Sequence, residues 1–261
     1  MEAFFFPPAN ACLRYHHLPG AEPTYVYLAG LGLAATASYP HVIRAPTLSL
    51  YRAIIPDWLG CGFSDRPAAF GYTIDDHARS IAGLLDHLHI ANCTVIGASM
   101  GGSVAISLAA QRPDLVARIV LAEANLDAGG GAFSQSIAAS TEDKFVQTGY
   151  DRLIETRQTD GKTGNRGAAV LAGIWQMAAP HALYRSAVSL VQGVQPSWRD
   201  ILYQLSIPRT YLFGEYSLPD EDSRILPEYG IEVAIVPQAG HGMMWDNPTG
   251  FAANIAATEA Q

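Results

Sequence analysis

Short apolar segments bounded by turn residues alternate along this chain with longer segments of helical periodicity. Several of the short segments, such as Ile119-Val120-Leu121, are apolar without interruption, which is typical of strands buried on both faces. The alternation predicts an α/β fold in which helices flank a mostly parallel sheet. The strands are predicted at Ala11–Leu18, Thr24–Ala29, Tyr51–Pro56, Thr94–Gly97, Arg118–Glu123, Thr210–Gly214 and Glu232–Val236.

Capping residues and apolar spacing predict the helices between these strands. Thr73 with Asp76 resembles an N-terminal capping pair, residues 103–110 have a helical pattern, and Asn247 with Pro248 marks the start of the last helix. From Leu126 to about Tyr203 no strand is evident, and a polar loop is predicted from Gln158 to Arg166. Because a structureless loop of that length is improbable, residues 126–203 are predicted to form a helical lid inserted between core residues 1–125 and 204–261.

Composition excludes several classes of partner. The chain has 16 basic and 24 acidic residues, a formal net charge of -8 and no basic run. We therefore expect neither a nucleic-acid partner nor binding to an anionic membrane surface, and a small molecule is the expected partner. No signal peptide or membrane span is evident, and three widely spaced cysteines fit reduced thiols, so a cytoplasmic location is expected. A homodimer is compatible with the sequence.

Ser99 lies in the run Gly97-Ala98-Ser99-Met100-Gly101, after an apolar strand pattern and before a helical one. The Gly-x-Ser-x-Gly spacing favours a sharp strand-to-helix turn that projects the serine hydroxyl, with glycines where side chains would clash. The N-terminus of the following helix stabilises negative charge that develops there. A glycine-rich turn with an incidental serine is the structural alternative. The strand–turn–helix context favours Ser99 as the nucleophile of a serine hydrolase.

Two further motifs make the chain similar to a known family. Residues 57–64, Asp-Trp-Leu-Gly-Cys-Gly-Phe-Ser, resemble the D-x-x-G-x-G-x-S turn of α/β-hydrolases. Residues 28–32, Leu-Ala-Gly-Leu-Gly, resemble the His-Gly oxyanion segment of that family, with Ala29 in place of the usual histidine. The resemblance covers nearly the whole chain and implies the α/β-hydrolase fold with a helical lid.

The resemblance also implies a triad in the chain order serine, acid, histidine. Only His181 and His241 follow Ser99, and His181 falls inside the predicted lid. His241 follows the last predicted strand, in a loop that could bring it over the edge of the sheet. His241 is therefore predicted to be the general base.

The acid departs from the common pattern of the family. Most members carry an aspartate soon after the strand at Thr210–Gly214, where this chain has Ser217. Glu123 ends the strand after the nucleophile helix, and a subset of the family, including some dehalogenases and a lactone hydrolase, takes its acid from that strand end. Glu123 is predicted to orient His241, with Asp220 or Asp222 as the alternative acid.

The resemblance places the oxyanion hole on the backbone N–H groups of Leu31 and Met100. Each donor is worth roughly 3 kcal/mol of transition-state stabilisation, and a main-chain donor does not need the histidine that Ala29 replaces. Candidate residues for an apolar substrate pocket are Trp58, Trp175, Trp198 and Met244, although aromatic residues also fill ordinary cores. No metal or organic cofactor is implied.

Other functions compete with a serine esterase or lactonase. Gly30-Leu31-Gly32-Leu33-Ala34-Ala35 matches the dinucleotide fingerprint G-x-G-x-x-A, with Asp57 as the acid closing the next strand. Enzymes of this family with an aspartate nucleophile are set aside, because the turn carries Ser99. A carbon–carbon bond hydrolase using the same triad stays open, and so does a non-catalytic binding protein on a hydrolase scaffold.

Overall fold

The predicted parallel sheet is present in the computed structural model, which describes residues 1–164 and 166–258. Its strands are β1 Glu2–Phe6, β2 Ala11–Leu18, β3 Ala21–Leu28, β4 Tyr51–Pro56, β5 Cys93–Ala98, β6 Val116–Ala122, β7 Arg209–Gly214 and β8 Glu232–Val236. The order across the sheet is β1-β2-β4-β3-β5-β6-β7-β8. The pairs from β4 through β3 to β8 are parallel, whereas β1 and β2 are antiparallel additions at one edge.

Strand β1 was not predicted. Its residues are mostly exposed and only Phe6 is buried, so the segment lacks the alternating or fully apolar pattern of an interior strand. The strand forms because it pairs with β2, with Phe4 opposite Leu13. Pairing with a partner strand is a tertiary effect that a local pattern does not contain.

The helices flank the sheet. They are α1 Ala35–Ser38, α2 Pro40–Ile43, α3 Ile74–His87, α4 Met100–Gln111, α5 Ala132–Ala138, α6 Glu142–Lys144, α7 Tyr150–Lys162, α8 Arg166–Trp175, α9 Pro180–Gln192, α10 Trp198–Gln204, α11 Asp222–Ile225, α12 Met243–Asp246 and α13 Pro248–Ala257. Short 3-10 turns occur at Pro7–Ala9, Glu215–Ser217 and Leu226–Tyr229, and a π-helical turn occurs at Phe145–Gly149.

Two apolar layers hold the helices against the sheet. One layer contains buried side chains of α3, α4 and α10, and the other contains those of α2, α12 and α13. The predicted helix starts are confirmed: Thr73 and Asp76 form a reciprocal capping box at α3, and the Asn247 side chain caps α13 at Gly250. The helix after Ser99 begins earlier than predicted, at Met100.

Between β6 and β7 the described residues form helices and loops without a strand, which is the region predicted as a lid. The loop predicted from Gln158 to Arg166 is wrong in part, because α7 continues to Lys162 and α8 begins at Arg166. Helix α7 buries only Ile154, so its sequence has little apolar periodicity to reveal it. Residue 165 of that loop and residues 259–261 of the predicted core lie outside the described residues. The division into core and lid stays a prediction.

None of the helices described is long and apolar enough to pass through a bilayer. Cys12, Cys61 and Cys93 are all free thiols.

Candidate active site

Ser99 lies at the junction of β5 and α4 in a strained backbone conformation. Its φ of 52° and ψ of -121° place a non-glycine residue in a region that side chains rarely occupy. The surroundings impose this conformation: the Ser99 N–H donates to the Ala122 carbonyl at 2.9 Å, and the Ser99 carbonyl accepts from the Gly102 N–H at 2.9 Å. The turn leaves the serine half-buried at the C-terminal edge of the sheet.

The glycines around Ser99 allow neighbouring backbone segments to approach one another closely. A Cβ at Gly97 would collide with the backbone of Gly101, and a Cβ at Gly101 would collide with the carbonyl groups of Leu28 and Ala29. The N-terminus of α4 therefore sits directly against the end of β3. This contact brings the oxyanion segment predicted after β3 next to Ser99.

His241 and Glu123 come together at the same edge of the sheet, although they are far apart in sequence. His241 Nδ1 lies 2.7 Å from Glu123 Oε2, and the other carboxylate oxygen accepts a hydrogen bond from the Gly214 N–H at 2.9 Å. The Glu123 side chain is 13% exposed and the His241 side chain 60% exposed. The pair therefore consists of a sheltered carboxylate and a solvent-accessible imidazole.

The protonation state of Glu123 determines the tautomer of His241. Burial raises the pKa of the Glu123 carboxyl, but hydrogen bonds from His241, the Gly214 amide and Ser217 outweigh it and hold the pKa below its usual range. An ionised carboxylate only accepts hydrogen bonds, so His241 Nδ1 must carry the proton that joins them. Nε2 is then the basic nitrogen, and it has no hydrogen bond to any residue that the structure describes.

The two alternative acids are engaged elsewhere. Asp222 forms an ion pair with Arg199 at 2.7 Å, and Asp220 accepts a hydrogen bond from the Asp222 N–H at 2.9 Å. Ser217, which stands where most α/β-hydrolases carry their aspartate, hydrogen-bonds Glu123 instead. Of the three candidate acids, Glu123 is the one that the structure places against His241.

The histidine loop is held by a second carboxylate that the sequence did not single out. The Gly240 N–H donates to Asp246 Oδ2 at 3.0 Å, which ties the residue before His241 to the end of α12. The Gln238 N–H donates in turn to Glu215 at 2.7 Å. Both bonds hold the segment between the end of β8 and His241. These bonds depend on how the loop folds, and no sequence motif predicts them.

The Leu31 and Met100 amides are both available as donors. Leu31 lies in the loop after β3, and Met100 is the first residue of α4. Neither N–H donates a hydrogen bond to any group within residues 1–164 and 166–258. Unpaired backbone donors at buried positions are costly unless a ligand uses them, and the oxyanion hole at these two amides stays a prediction.

A cavity of about 810 Å³ opens beside Ser99 and His241. Its wall includes Leu31, residues of the helical region between β6 and β7, and residues of the segment after β8. Apolar residues on the wall from these two regions include Phe133, Val170, Leu171, Trp175, Leu190, Met244 and Trp245. Charged groups on the wall are Arg157, which contacts Asp160 at 3.3 Å, and Asp246. The wall is thus apolar over most of its area.

Two of the four predicted pocket residues line this cavity, namely Trp175 and Met244. The placement of the other two corrects the expectation. Trp58 is fully buried and its Nε1–H donates to the Ala29 carbonyl at 3.2 Å, so it supports the loop after β3 from below. Trp198 begins α10 and is 1% exposed in the core layer that contains α4. Residue type, and for Trp58 a place in a loop at the C-terminal end of a strand, do not distinguish a pocket wall from a core.

The D-x-x-G-x-G-x-S turn has a structural role. Asp57 is fully buried and accepts hydrogen bonds from Thr36 and from the Phe63 N–H, while Ser64 donates to the Asp57 carbonyl at 2.6 Å. In the dinucleotide interpretation Asp57 would have to reach a ribose, and here its oxygens are occupied inside the protein. The segment after Gly30 leads into α1, which has only four residues. The geometry does not fit a dinucleotide site.

Among the described residues, no group of three or more His, Cys, Asp or Glu side chains is arranged to hold a metal ion.

Comparison with known proteins defines the family. Residues 27–161, more than half of the chain, match the model of the alpha/beta hydrolase fold. The eight-stranded, mostly parallel sheet flanked by helices agrees with this fold. The chain therefore belongs to the α/β hydrolase fold family, a family of hydrolase enzymes.

Two curated relatives match parts of the chain. Haloalkane dehalogenase 2 of Mycobacterium tuberculosis (strain ATCC 25618 / H37Rv) is 42% identical over 71 residues, which are 27% of this chain and 25% of that protein. The 2-hydroxymuconate semialdehyde hydrolase of Pseudomonas sp. (strain CF600) is 38% identical over 106 residues, which are 40% of this chain and 38% of that protein. The chain thus aligns with well under half the length of these relatives.

Solved structures are similar over nearly the full length. The esterase of Exiguobacterium antarcticum superposes with a TM-score of 0.73 and 22% identity, covering 96% of both chains. The enol-lactonase of Burkholderia xenovorans LB400 superposes with a TM-score of 0.77 and 18% identity, covering 96% of this chain and 97% of that one. At such identities the likeness shows the fold alone.

Proposed function

We propose that this protein is a serine hydrolase that cleaves a small apolar carboxylic ester or lactone through an acyl-enzyme. The observation that carries the proposal is that Ser99 and His241 line one cavity, with His241 held by the Glu123 carboxylate. The strained conformation at Ser99 supports it, because backbone strain of this kind accumulates at functional sites.

In the first half of the proposed reaction, His241 Nε2 removes the proton from Ser99 Oγ as the hydroxyl oxygen attacks the substrate carbonyl. The negative charge that forms on the carbonyl oxygen is stabilised by the N–H groups of Leu31 and Met100. Glu123 accepts the Nδ1–H bond and stabilises the imidazolium. The same proton then passes from Nε2 to the leaving alkoxide, and the carbon–oxygen bond to that group breaks.

The second half regenerates the enzyme. His241 Nε2 takes a proton from water, whose oxygen attacks the acyl-Ser99 carbonyl, and the proton returns to Ser99 Oγ as the acid leaves. The exposure of the His241 side chain, 60%, gives water a direct approach to Nε2. With a lactone the leaving alkoxide stays attached to the acyl group, so ring opening yields a hydroxy acid.

The cavity supports the substrate class. A volume of about 810 Å³ lies within the usual range for sites that bind small organic molecules. Its aromatic and aliphatic wall favours an apolar acyl or alcohol group. Solved structures with the same fold include esterases and an enol-lactonase, which is consistent with the proposed reaction.

The test is turnover of short p-nitrophenyl esters and of simple lactones, combined with labelling by a fluorophosphonate probe. Wild-type protein is expected to turn over substrate and to take up one label, and Ser99→Ala is expected to do neither. Ser107→Ala, on the same helix but away from the cavity, serves as the matched control and should behave as wild type. A wild-type protein that neither labels nor turns over would instead indicate a non-catalytic binding protein.

Carbon–carbon bond hydrolysis is the second candidate. The observation that favours it is the 38% identity to 2-hydroxymuconate semialdehyde hydrolase over 106 residues. The same Ser99, His241 and Glu123 arrangement would serve such a reaction. The assay is consumption of 2-hydroxymuconate semialdehyde by the wild type and by Ser99→Ala, compared with kcat/KM on the esters. The dehalogenase relative suggests no third candidate, because the nucleophile position here is a serine.

A further inference from the structure

A side chain of the lid is bonded to the loop that carries the Leu31 amide, here called the oxyanion loop (residues 29–33). Trp175, the last residue of α8, donates its indole N–H to the Leu31 carbonyl oxygen at 3.1 Å. The Trp175 side chain is 4% exposed and stacks on Phe133, with ring centroids 4.1 Å apart and planes 6° from parallel. A hydrogen bond in such a dry environment is stronger than one exposed to water.

The oxyanion loop is held on both sides of the Leu31 amide. The Gly30 carbonyl, which shares a peptide plane with the Leu31 N–H, accepts from the Leu33 N–H at 3.1 Å. Trp175 fixes the next peptide plane through the Leu31 carbonyl, and Trp58 holds the Ala29 carbonyl from the core at 3.2 Å. Because neighbouring peptide planes rotate about a shared Cα, fixing the planes around Leu31 fixes the direction of its N–H.

The indole lies directly on this loop and is itself anchored. Gly32 has a φ of 69°, and a Cβ there would run into Leu183 and the Trp175 ring. Tyr150 Oη lies 2.7 Å from the Trp175 carbonyl oxygen and 3.0 Å from the Ala178 carbonyl oxygen, so its single proton is shared between these two acceptors. The ring is therefore held by Phe133 of α5 and, through the main chain of Trp175, by Tyr150 of α7, both in the predicted lid.

We propose that Trp175 is a positioning residue that orients the Leu31 amide toward the tetrahedral intermediate. The oxyanion hole is then complete only when the lid is packed against the oxyanion loop. This inference rests on the proposed serine-hydrolase function and deepens it. An amide that points correctly stabilises the transition state more than the bound substrate. Loss of the indole N–H must therefore appear in kcat and not in KM.

Trp175→Phe tests the proposal, because phenylalanine keeps an aromatic ring against Phe133 but has no N–H. On a short p-nitrophenyl ester we expect kcat to fall about tenfold, less than the roughly 10²-fold to 10³-fold loss caused by removing a donor altogether. KM should not change. Affinity for a trifluoromethyl ketone, which forms a tetrahedral adduct with Ser99, should fall by the same factor as kcat. The pH profile of kcat/KM should keep its shape, because His241 and Glu123 are untouched.

A second variant removes the N–H without changing the shape of the ring. Incorporation of β-(3-benzothienyl)alanine at position 175 replaces the indole nitrogen by sulfur and should reproduce the kcat loss. Trp198→Phe is the matched control: it is the same substitution at a buried tryptophan away from the cavity, and it should leave kcat unchanged after correction for folded protein.

An unchanged kcat in both position-175 variants, or a change confined to KM, would overturn the inference and leave Trp175 as a wall residue. These outcomes are distinguishable from failure of the proposed function itself. If the proposed function fails, the wild type itself shows neither ester turnover nor labelling, whereas the inference about Trp175 fails with a wild type that is active.

Discussion

At the scale of single residues, the unusual feature is the pairing of His241 with Glu123 and not with an aspartate after β7. The geometry explains how the replacement is accommodated. Glu123 follows β6 with a φ of 43°, and its N–H donates to the Leu212 carbonyl at 3.1 Å. This left-handed turn at the strand end directs the longer glutamate side chain toward the end of β7, where Gly214 and Ser217 hydrogen-bond it.

Glu123→Gln is expected to lower kcat on esters by about 10³-fold to 10⁴-fold, as an amide at this position presents a donor to the Nδ1–H and favours the wrong histidine tautomer. Steady-state kinetics on a p-nitrophenyl ester measures the effect. Asp222→Asn is the matched control, because Asp222 is the alternative acid but pairs with Arg199. Loss of kcat in Asp222→Asn with an active Glu123→Gln would reverse the assignment of the acid.

At the scale of elements, the active site depends on how closely α4 approaches β3. The approach is close enough that the backbone of Gly101 touches the carbonyls of Leu28 and Ala29, and these residues lead into the oxyanion loop. The proposed nucleophile Ser99 and the Met100 amide come from the β5–α4 junction, and the Leu31 amide comes from the loop after β3. The relative position of these groups is therefore set by how closely the backbones of α4 and β3 pack together.

Gly101→Ala is expected to destabilise the protein by roughly 1–3 kcal/mol, because its Cβ would overlap backbone atoms that cannot rotate away. It should also reduce kcat, since the displaced backbone carries the oxyanion loop. Gly173→Ala is the matched control in α8, where an added Cβ meets no atom within 4 Å. That substitution should be neutral or stabilise by up to about 1 kcal/mol. Urea unfolding measures both, and an equally stable Gly101→Ala would contradict the account.

At the scale of the whole molecule, α9 of the predicted lid contacts α3 of the predicted core through a buried polar bond at His77. His77 on α3 lies between Trp58 and Tyr72, and its Nε2 is 3.0 Å from Ser186 Oγ on α9. The Ser186 hydroxyl donates to the Tyr72 carbonyl, so Nε2 carries the proton of the first bond. Nδ1 is buried with no hydrogen-bond partner among the described residues, and burial lowers the pKa of His77, so the imidazole is neutral at neutral pH. The charge of the adjacent Asp76 raises the pKa of His77, but burial lowers it by more.

This contact predicts a dependence of stability on pH. Burial lowers the pKa of His77 from 6.5 to about 4, so between these values the unfolded chain binds a proton that the folded protein does not. The stability that the neutral, buried His77 allows is fully present above pH 6.5. As the pH falls toward 4, the free energy of unfolding decreases on this account by about 3 kcal/mol in total. His77→Gln keeps an N–H near Ser186 but does not titrate.

Urea unfolding at a series of pH values from neutral to acid measures the effect. The free energy of unfolding of His77→Gln should fall less steeply with acidification than that of the wild type. His87→Gln, at an exposed position of the same helix, is the matched control and should follow the wild type. Equal slopes for wild type and His77→Gln would contradict the prediction.

The sequence alone determined the strand–helix alternation, and with it the parallel sheet and the location of Ser99 at a strand-to-helix turn. It could do so because buried parallel strands and capped helices have local patterns. The chain order and the strand-end position of Glu123 also favoured the pair that the structure brings together. These features are properties of short segments, or of the order in which segments occur.

The tertiary structure decided the rest. The three tryptophans are the same residue type in different places. Trp58 is buried and bonds the oxyanion loop, Trp175 bonds that loop from the end of α8, and Trp198 fills an apolar layer. The difference depends on which surface each indole meets, and a sequence pattern does not contain that information. For the same reason the sequence did not predict β1, because its strand conformation comes from pairing with β2. Nor did it predict Asp246 as an acceptor, because that role depends on a loop that folds back onto it.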